Sequence, residues 1–230
     1  MHGSVRIFFQ ALGLGRWATE KRNTRRIRDF DYLTDWHQAN KILFVHVPKA
    51  AGNSFKASIG DITDRRYPHI PAATVQKKYP VFFQGAHKVC IMRDPVDRFI
   101  SAWAHIQKKN YGFHDPILDI ANPKDLKDWI RFQNKFCSDL YFRNLVLSAM
   151  HFQPQWYFLC DASRNLLVDK IYTLDELDQA RAEVSEYLSI RSQPLEQLNS
   201  SLRDNIVASE QLIKTIKSIY QFDFDLIERR

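Results

Sequence analysis

The chain has too few cysteines, too widely spaced, for a disulfide framework or a structural zinc site. Its 230 residues include three cysteines, Cys90, Cys137 and Cys160. They are odd in number and no C-x-x-C pair occurs among them. Such cysteine usage is typical of a protein kept in a reducing compartment.

The sequence also lacks a hydrophobic run long enough to span a membrane. The apolar patch "VRIFFQALGLG" near the start is short, contains Gln10, and is followed by Arg16 rather than a small-residue cleavage site. We interpret residues 1–40, with the basic run "EKRNTRRIRDF", as an amphipathic arm packed on the body of the protein. Without an anchor, we expect a cytoplasmic protein.

Internal repeats, low-complexity segments and linkers are missing as well, so residues 41–230 are predicted to form a single domain. Hydrophobic residues make up 45% and charged residues 26% of the chain, enough for a core and typical of a soluble globular protein. The formal net charge of +7 favours an anionic partner. Nucleic acid, a phosphorylated cofactor and an acidic glycan all fit that charge.

The hydrophobic pattern predicts an α/β fold with a mostly parallel sheet. Apolar runs predict buried strands at 41–47, 87–92 and 166–172, and helical patterns follow each of them. Residues 61–80 are rich in turn residues and proline. Further along, Asn122 with Pro123 and Thr173 with Glu176 have the residue types of helix starts. The segment 209–227 is predicted to be one last helix.

The loop "PKAAGNSF" after the first strand is typical of an anion site. A strand that leads through a glycine-containing turn into a helix presents backbone N–H groups, and the helix dipole adds to their attraction for phosphate-like groups. Gly52 allows close approach, Ser54 can donate a hydroxyl hydrogen bond, and Lys49 adds a positive charge. Because Lys49 precedes Gly52, the loop is not a Walker A motif.

A second candidate anion site follows the second strand in "RDPVDRFISAW". Arg93 ends the strand and suits a bidentate phosphate contact, and Ser101 follows on the next helix. Lys49 and Arg93 would share the carboxyl edge of the sheet, where open α/β sheets bind ligands. Two sites on one edge indicate a ligand with two separated phosphate-type groups.

These two segments resemble the 5′-phosphosulfate and 3′-phosphate loops of sulfotransferases. The similarity is strongest to the carbohydrate group that includes the heparan 2-O and chondroitin 4-O enzymes. "HFQPQ" at 151–155, "LNSSLR" at 198–203 and the C-terminal helix extend it over residues 41–227. The resemblance implies a P-loop-like, three-layer fold with a central sheet flanked by helices. It also implies the donor 3′-phosphoadenosine 5′-phosphosulfate (PAPS), no metal, and a carbohydrate acceptor such as a glycan or polysaccharide precursor rather than nucleic acid.

The resemblance also assigns residues to the two ends of PAPS, and it departs from the commoner loop in having Ala50 and Asn53 where threonines are frequent. The implied 3′-phosphate ligands are Arg93 and Ser101, with Ser201 closing over the nucleotide. The implied 5′-phosphosulfate ligands are Lys49, Ala51, Gly52, Asn53 and Ser54.

Sulfuryl transfer needs a base for the acceptor proton and positive charge for the leaving phosphate. Lys49 suits the second task. His69 is the predicted base, because it lies in a polar, turn-rich segment at a distance before Arg93 similar to that of the catalytic histidine in the resembled enzymes. His87 and His151 are its rivals.

Two other functions remain open. A P-loop-like small-molecule kinase is disfavoured, because the Walker lysine and a clear Mg²⁺-binding carboxylate after a strand are missing. A non-catalytic, basic polyanion-binding module would leave both loops and the histidine without a purpose.

Overall fold

The computed structural model describes residues 32–61, 69–107, 121–191 and 206–230. Their contacts divide them into two compact units. One unit contains a β-sheet and comprises residues 32–61, 69–94, 154–191 and 222–230 of the described chain; the other is helical and comprises residues 95–107, 121–153 and 206–221. The predicted arm over 1–40 and single domain over 41–230 stay predictions, because most of the arm lies outside the described residues.

The sheet unit is built on three parallel strands in the order β1-β2-β3, which are β1 (Ile42–Val45), β2 (His87–Met92) and β3 (Lys170–Thr173). Phe44 of β1 lies opposite Val89 of β2, and Val89 lies opposite Lys170 of β3. All of β1 is buried, as expected for a parallel strand covered on both faces. This sheet and its flanking helices confirm the predicted α/β, P-loop-like class.

Short helices connect and flank these strands. The longest, α10 (Leu177–Tyr187), follows β3 through a 3₁₀ turn at Leu174–Glu176 that begins with the predicted Thr173–Glu176 capping box. The helices of this unit are α1 (Asp35–Asn40), α2 (Gly52–Ser58), α3 (Ala72–Lys78), α4 (Pro80–Gly85), α9 (Trp156–Leu159), α10 (Leu177–Tyr187) and, from its second residue, α12 (Gln221–Glu228).

The helical unit buries a cluster of aromatic rings. The Phe99 ring lies 4.8 Å from that of Phe136 and 5.1 Å from that of Phe152. Arg98 is almost fully buried among them and donates to the carbonyl oxygens of His151 and Gln153. The helices are α5 (Pro95–Ile106), α6 (Pro123–Lys127), α7 (Trp129–Ser138), α8 (Leu140–Ser148) and α11 (Glu210–Ile219), with a 3₁₀ turn at Met150–Phe152.

Two of the predicted element boundaries were wrong, and the turn-rich segment contains helical residues. Within the turn-rich segment 61–80, residues 72–78 form a helix with Pro71 as its N-cap, and Pro80 is the first residue of another helix. The third strand begins at Lys170, because Leu166 instead bridges back to Cys160. The last helix is divided at Tyr220 into α11 and α12.

Candidate active site

The loop between β1 and α2 has an unusual backbone. Positive φ angles are rare outside glycine because the Cβ atom crowds the carbonyl group. In this loop Lys49 has φ 68° and Ala51 has φ 58°, and they flank Ala50. Such positions are typical of functional loops, where the surrounding structure maintains the strain. The described non-glycine residues with positive φ are Lys41, Lys49, Ala51, Arg164 and Ser189.

We interpret this backbone as a concave set of N–H donors. Residues that alternate between right- and left-handed conformations turn successive N–H groups toward one point, which is an anion-binding nest. The N–H groups of Gly52, Asn53 and Ser54 precede the first helical bond of α2, from Phe55 N to Ala51 O at 3.2 Å. Ala51 offers no side-chain cap and the first turn of α2 has no acidic residue. The loop is therefore suited to an anion.

Gly52 is required here by its contact with a histidine. A Cβ atom on Gly52 would lie 2.0 Å from Cδ2 and 2.2 Å from Nε2 of His46. His46 is buried at 4% exposure and its ring also packs near Phe44. The imidazole thus forms the floor of the loop. The sequence prediction missed His46, although a polar residue in a buried apolar run was a signal.

His69, the predicted base, packs against His46. Its ring centroid is 4.2 Å from that of His46, and its Nδ1 lies 3.0 Å from the His46 carbonyl oxygen. A carbonyl oxygen only accepts, so Nδ1 carries the proton and Nε2 is the basic nitrogen of the neutral ring. The structure therefore brings His69 to the anion loop in the tautomer that a base acting through Nε2 needs.

The predicted loop ligands differ in exposure. Asn53 is exposed, whereas Lys49, Ala51 and Ser54 are half-buried. Gly52 is buried beneath them. These four side chains and the nest of N–H groups belong to one short stretch, so the structure keeps the predicted 5′ set together.

Arg93 lies at the same edge of the sheet as this loop. β1 and β2 are parallel neighbours, and Arg93 directly follows the last residue of β2. Arg93 is buried at 6% exposure, and its backbone N–H and C=O both bond the side chain of Gln155. Gln155 is in turn held by Asp223. Sequence reasoning assigned no role to Gln155 or Asp223; only the quoted "HFQPQ" segment indicated that the region mattered.

The remaining predicted residues belong to other parts of the chain. Ser101 is buried in α5 of the helical unit, and Ser201 lies outside the described residues. Of the rival histidines, His87 is the first residue of β2, at the opposite edge of the sheet from Arg93. The His151 ring packs 4.5 Å from that of His105 in the helical unit. These positions favour His69 over His87.

Behind the loop, α2 is supported by buried charges. Lys56 Nζ lies 3.7 Å from Asp61 Oδ2, and both side chains are nearly inaccessible. Burial lowers the pKa of nearby His37, with Asp61 opposing and Lys56 adding to that shift. On β2, burial raises the pKa of the Cys90 thiol, and Cys160 adds to it, so that Cys90 is a neutral packing residue.

Within the described residues, no group of three or more histidine, cysteine, aspartate or glutamate side chains is arranged to hold a metal ion. In the same part of the chain, no helix has the length and apolar character needed to cross a membrane.

Comparison with known proteins identifies the family. The family model described as the sulfotransferase family matches residues 34–228, which include β1, the anion loop, Arg93 and α12. No curated protein and no solved structure matches the chain significantly. The matched span covers most of the 230 residues and agrees with the parallel sheet and its loop. The chain is therefore a member of the sulfotransferase family.

Proposed function

We propose that the protein is an O-sulfotransferase that uses PAPS as donor and a carbohydrate hydroxyl as acceptor. Membership of the family supports transfer of a sulfuryl group in general. The observation that carries the finer proposal is the loop from His46 to Ser54, which contains Lys49 and backbone N–H donors and against which His69 packs through His46.

The residues of the loop fit a phosphosulfate group. The left-handed backbone at Lys49 and Ala51 turns N–H donors inward, and Gly52 leaves room for an anion close to the backbone. The first turn of α2 contains no acidic residue, so no carboxylate there would repel the anion. Asn53 and Ser54 can add side-chain hydrogen bonds at the start of α2.

Arg93 would bind the 3′-phosphate at the end of β2. A guanidinium presents two parallel N–H donors to a phosphate, and the burial of Arg93 strengthens such a contact. Ser101 and Ser201 are proposed as additional ligands on the resemblance alone.

Each residue of the loop has a separate task in the transfer. When bound, PAPS supplies a sulfuryl group attached to a phosphate leaving group. Lys49 would stabilise the charge that develops on the leaving oxygen, and the N–H groups of residues 51–54 would hold the sulfuryl oxygens. His69 Nε2 would take the proton of the attacking hydroxyl, while Nδ1–H keeps its bond to the His46 carbonyl.

The positive net charge of the chain favours a carbohydrate that is anionic before the reaction or becomes anionic when it is sulfated. The chain carries a net charge of +7 and a pI of about 9.3, which attracts acidic glycans. A polysaccharide precursor in the cytoplasm remains our predicted acceptor.

Transfer from radiolabelled PAPS to a panel of glycans, with and without uronic acid, tests the proposal. We expect Lys49→Ala to abolish transfer and His69→Ala to lower turnover by about 10²–10⁴-fold with donor affinity nearly unchanged. Lys77→Ala, an exposed lysine of α3, is the control and should transfer normally. Normal turnover by His69→Ala would remove it as the base. Phosphoryl transfer from ATP and Mg²⁺ instead would contradict the proposal.

A further inference from the structure

The peptide of Arg93 is held by a side chain where the β-ladder has ended. The last pair between β2 and β3 is Met92 with Thr173. One residue later, Arg93 N–H donates to Gln155 Oε1 at 3.0 Å, and Gln155 Nε2 donates to Arg93 O at 2.7 Å. The amide of Gln155 therefore satisfies two backbone groups that a longer β-ladder would have satisfied.

Gln155 is fixed in turn by a buried carboxylate. Asp223 Oδ2 accepts from the N–H of Gln155 at 2.8 Å, and Oδ1 accepts from that of Trp156 at 2.9 Å. Gln155 and Asp223 are both fully inaccessible. Arg93, Gln155 and Asp223 all belong to the sheet unit. Their hydrogen bonds link α12, through the start of α9, to the end of β2.

The contacts from Asp223 through Gln155 to Arg93 place a charged carboxylate in the protein interior, which stabilises a fold less than apolar packing does. Burying a carboxylate is unfavourable unless several donors satisfy it, and an apolar contact would hold α12 at lower cost. A bidentate amide, however, fixes both the position and the rotation of the Arg93 peptide. It thereby determines where the Arg93 side chain begins, and a guanidinium must be placed accurately for a two-pronged phosphate contact.

We propose that Gln155 and Asp223 are positioning residues that give the protein its selectivity for nucleotides with a 3′-phosphate, acting through Arg93. The inference rests on the proposed function, since it assumes that Arg93 meets the 3′-phosphate. The positioning role of Gln155 and Asp223 differs from a purely structural role in its effect on ligand binding. A misplaced Arg93 weakens contact with the 3′-phosphate and leaves the rest of the nucleotide bound as before.

The test compares two ligands that differ only in that group. Calorimetry gives the affinities of 3′-phosphoadenosine 5′-phosphate (PAP) and adenosine 5′-phosphate (AMP) for wild type, Gln155→Met and Asp223→Asn. We expect wild type to prefer PAP and each variant to lose about tenfold or more in PAP affinity, with AMP affinity within about twofold of wild type. Asp223→Asn keeps shape and one acceptor oxygen, so it provides a result if Gln155→Met does not fold.

Gln133→Met is the matched control. Gln133 is also a buried glutamine whose Oε1 accepts from a backbone N–H, that of Ser209 at 2.9 Å, but it lies in the helical unit. Loss of this hydrogen bond in Gln133→Met should lower thermal stability and leave the ratio of PAP to AMP affinity unchanged. In an Arg93→Ala background, Gln155→Met should not change that ratio further, because the two substitutions act on one contact.

The outcomes separate this inference from the proposed function. If folded Gln155→Met and Asp223→Asn keep the wild-type ratio, or lose PAP and AMP affinity equally, the residues are structural and the inference is wrong. If wild type itself shows no preference for PAP, the proposed function fails, and the inference fails with it.

Discussion

Gly52 is a position where a single methyl group has no room. Replacing it by alanine would bring a Cβ atom to within 2.0 Å of the His46 ring. We expect Gly52→Ala to lower the free energy of unfolding by about 1–3 kcal/mol, because the buried ring must move. The mutant should also bind anions more weakly, since the floor of the loop shifts.

Gly85→Ala is the control for this experiment. A Cβ atom on Gly85, at the end of α4, would meet no atom within 4 Å. That substitution should leave the free energy of unfolding unchanged or raise it by up to about 1 kcal/mol. Urea unfolding measures both variants; equal stabilities would contradict the close contact between Gly52 and His46.

The lowered pKa of His37 should make the stability of the protein depend on pH. Its pKa lies below the ordinary value of 6.5, chiefly because burial disfavours the charged ring. The unfolded chain then binds a proton that the folded chain does not, so stability is lost as pH falls below about 6.5 toward the folded pKa. Urea unfolding at pH 7.5 and pH 5.5 measures this loss.

His37→Gln is the informative variant. His37 forms a capping box with Thr34, and glutamine can take the same place without titrating. The variant should lose less stability than wild type between the two pH values. An identical loss would show that other groups cause the pH dependence.

Individual site residues could be predicted where the signal is local. Lys49, Gly52 and Arg93 follow apolar runs directly, so their place at the carboxyl edge of the sheet could be inferred. His46 was missed although it is a polar residue in an apolar run, whereas Gln155 and Asp223 could not be assigned, because their partners are distant in sequence: Asp223 meets Gln155 68 residues away. Hydrogen bonds of that kind leave no periodic pattern.

At the scale of elements, the backbone of the loop makes its own prediction. Ala51 has φ 58° and ψ 16°, a conformation that costs an L-residue about 1–2 kcal/mol. Glycine removes that cost, although it makes the unfolded chain more flexible. We expect Ala51→Gly to leave the free energy of unfolding unchanged or raise it by up to about 1 kcal/mol, measured by urea unfolding.

Ala57→Gly provides the comparison in the same helix. Ala57 is exposed in α2 with ordinary helical geometry, so glycine should lower the free energy of unfolding by about 0.5–1 kcal/mol. If the two substitutions destabilise equally, the left-handed conformation at Ala51 is wrong.

Element boundaries could be predicted where caps define them. β2 spans the predicted 87–92, and Asn122 caps α6 with Pro123 as its first residue. The break at Tyr220 has no local cause. Its hydroxyl donates to Phe152 O across 68 residues and its ring packs 5.7 Å from the Arg98 guanidinium, so tertiary contacts override a continuous helical pattern.

At the scale of the whole molecule, the order of strands and helices was enough to predict the class of fold. Strands followed by helices imply parallel pairing, and parallel pairing brings the loop after β1 and Arg93 to one edge. The division into two compact units was not predicted, because no linker or shift in composition accompanies it. The net charge of +7 indicates an anionic ligand without identifying it.

Binding of PAP tests the central claim, that the carboxyl edge of this sheet binds PAPS. Calorimetric titration of wild type and Arg93→Ala, without Mg²⁺, measures it directly. We expect tight binding to wild type and its loss in a folded Arg93→Ala variant, since the buried guanidinium meets the 3′-phosphate. No binding to folded wild type, or equal binding to both proteins, would contradict the account.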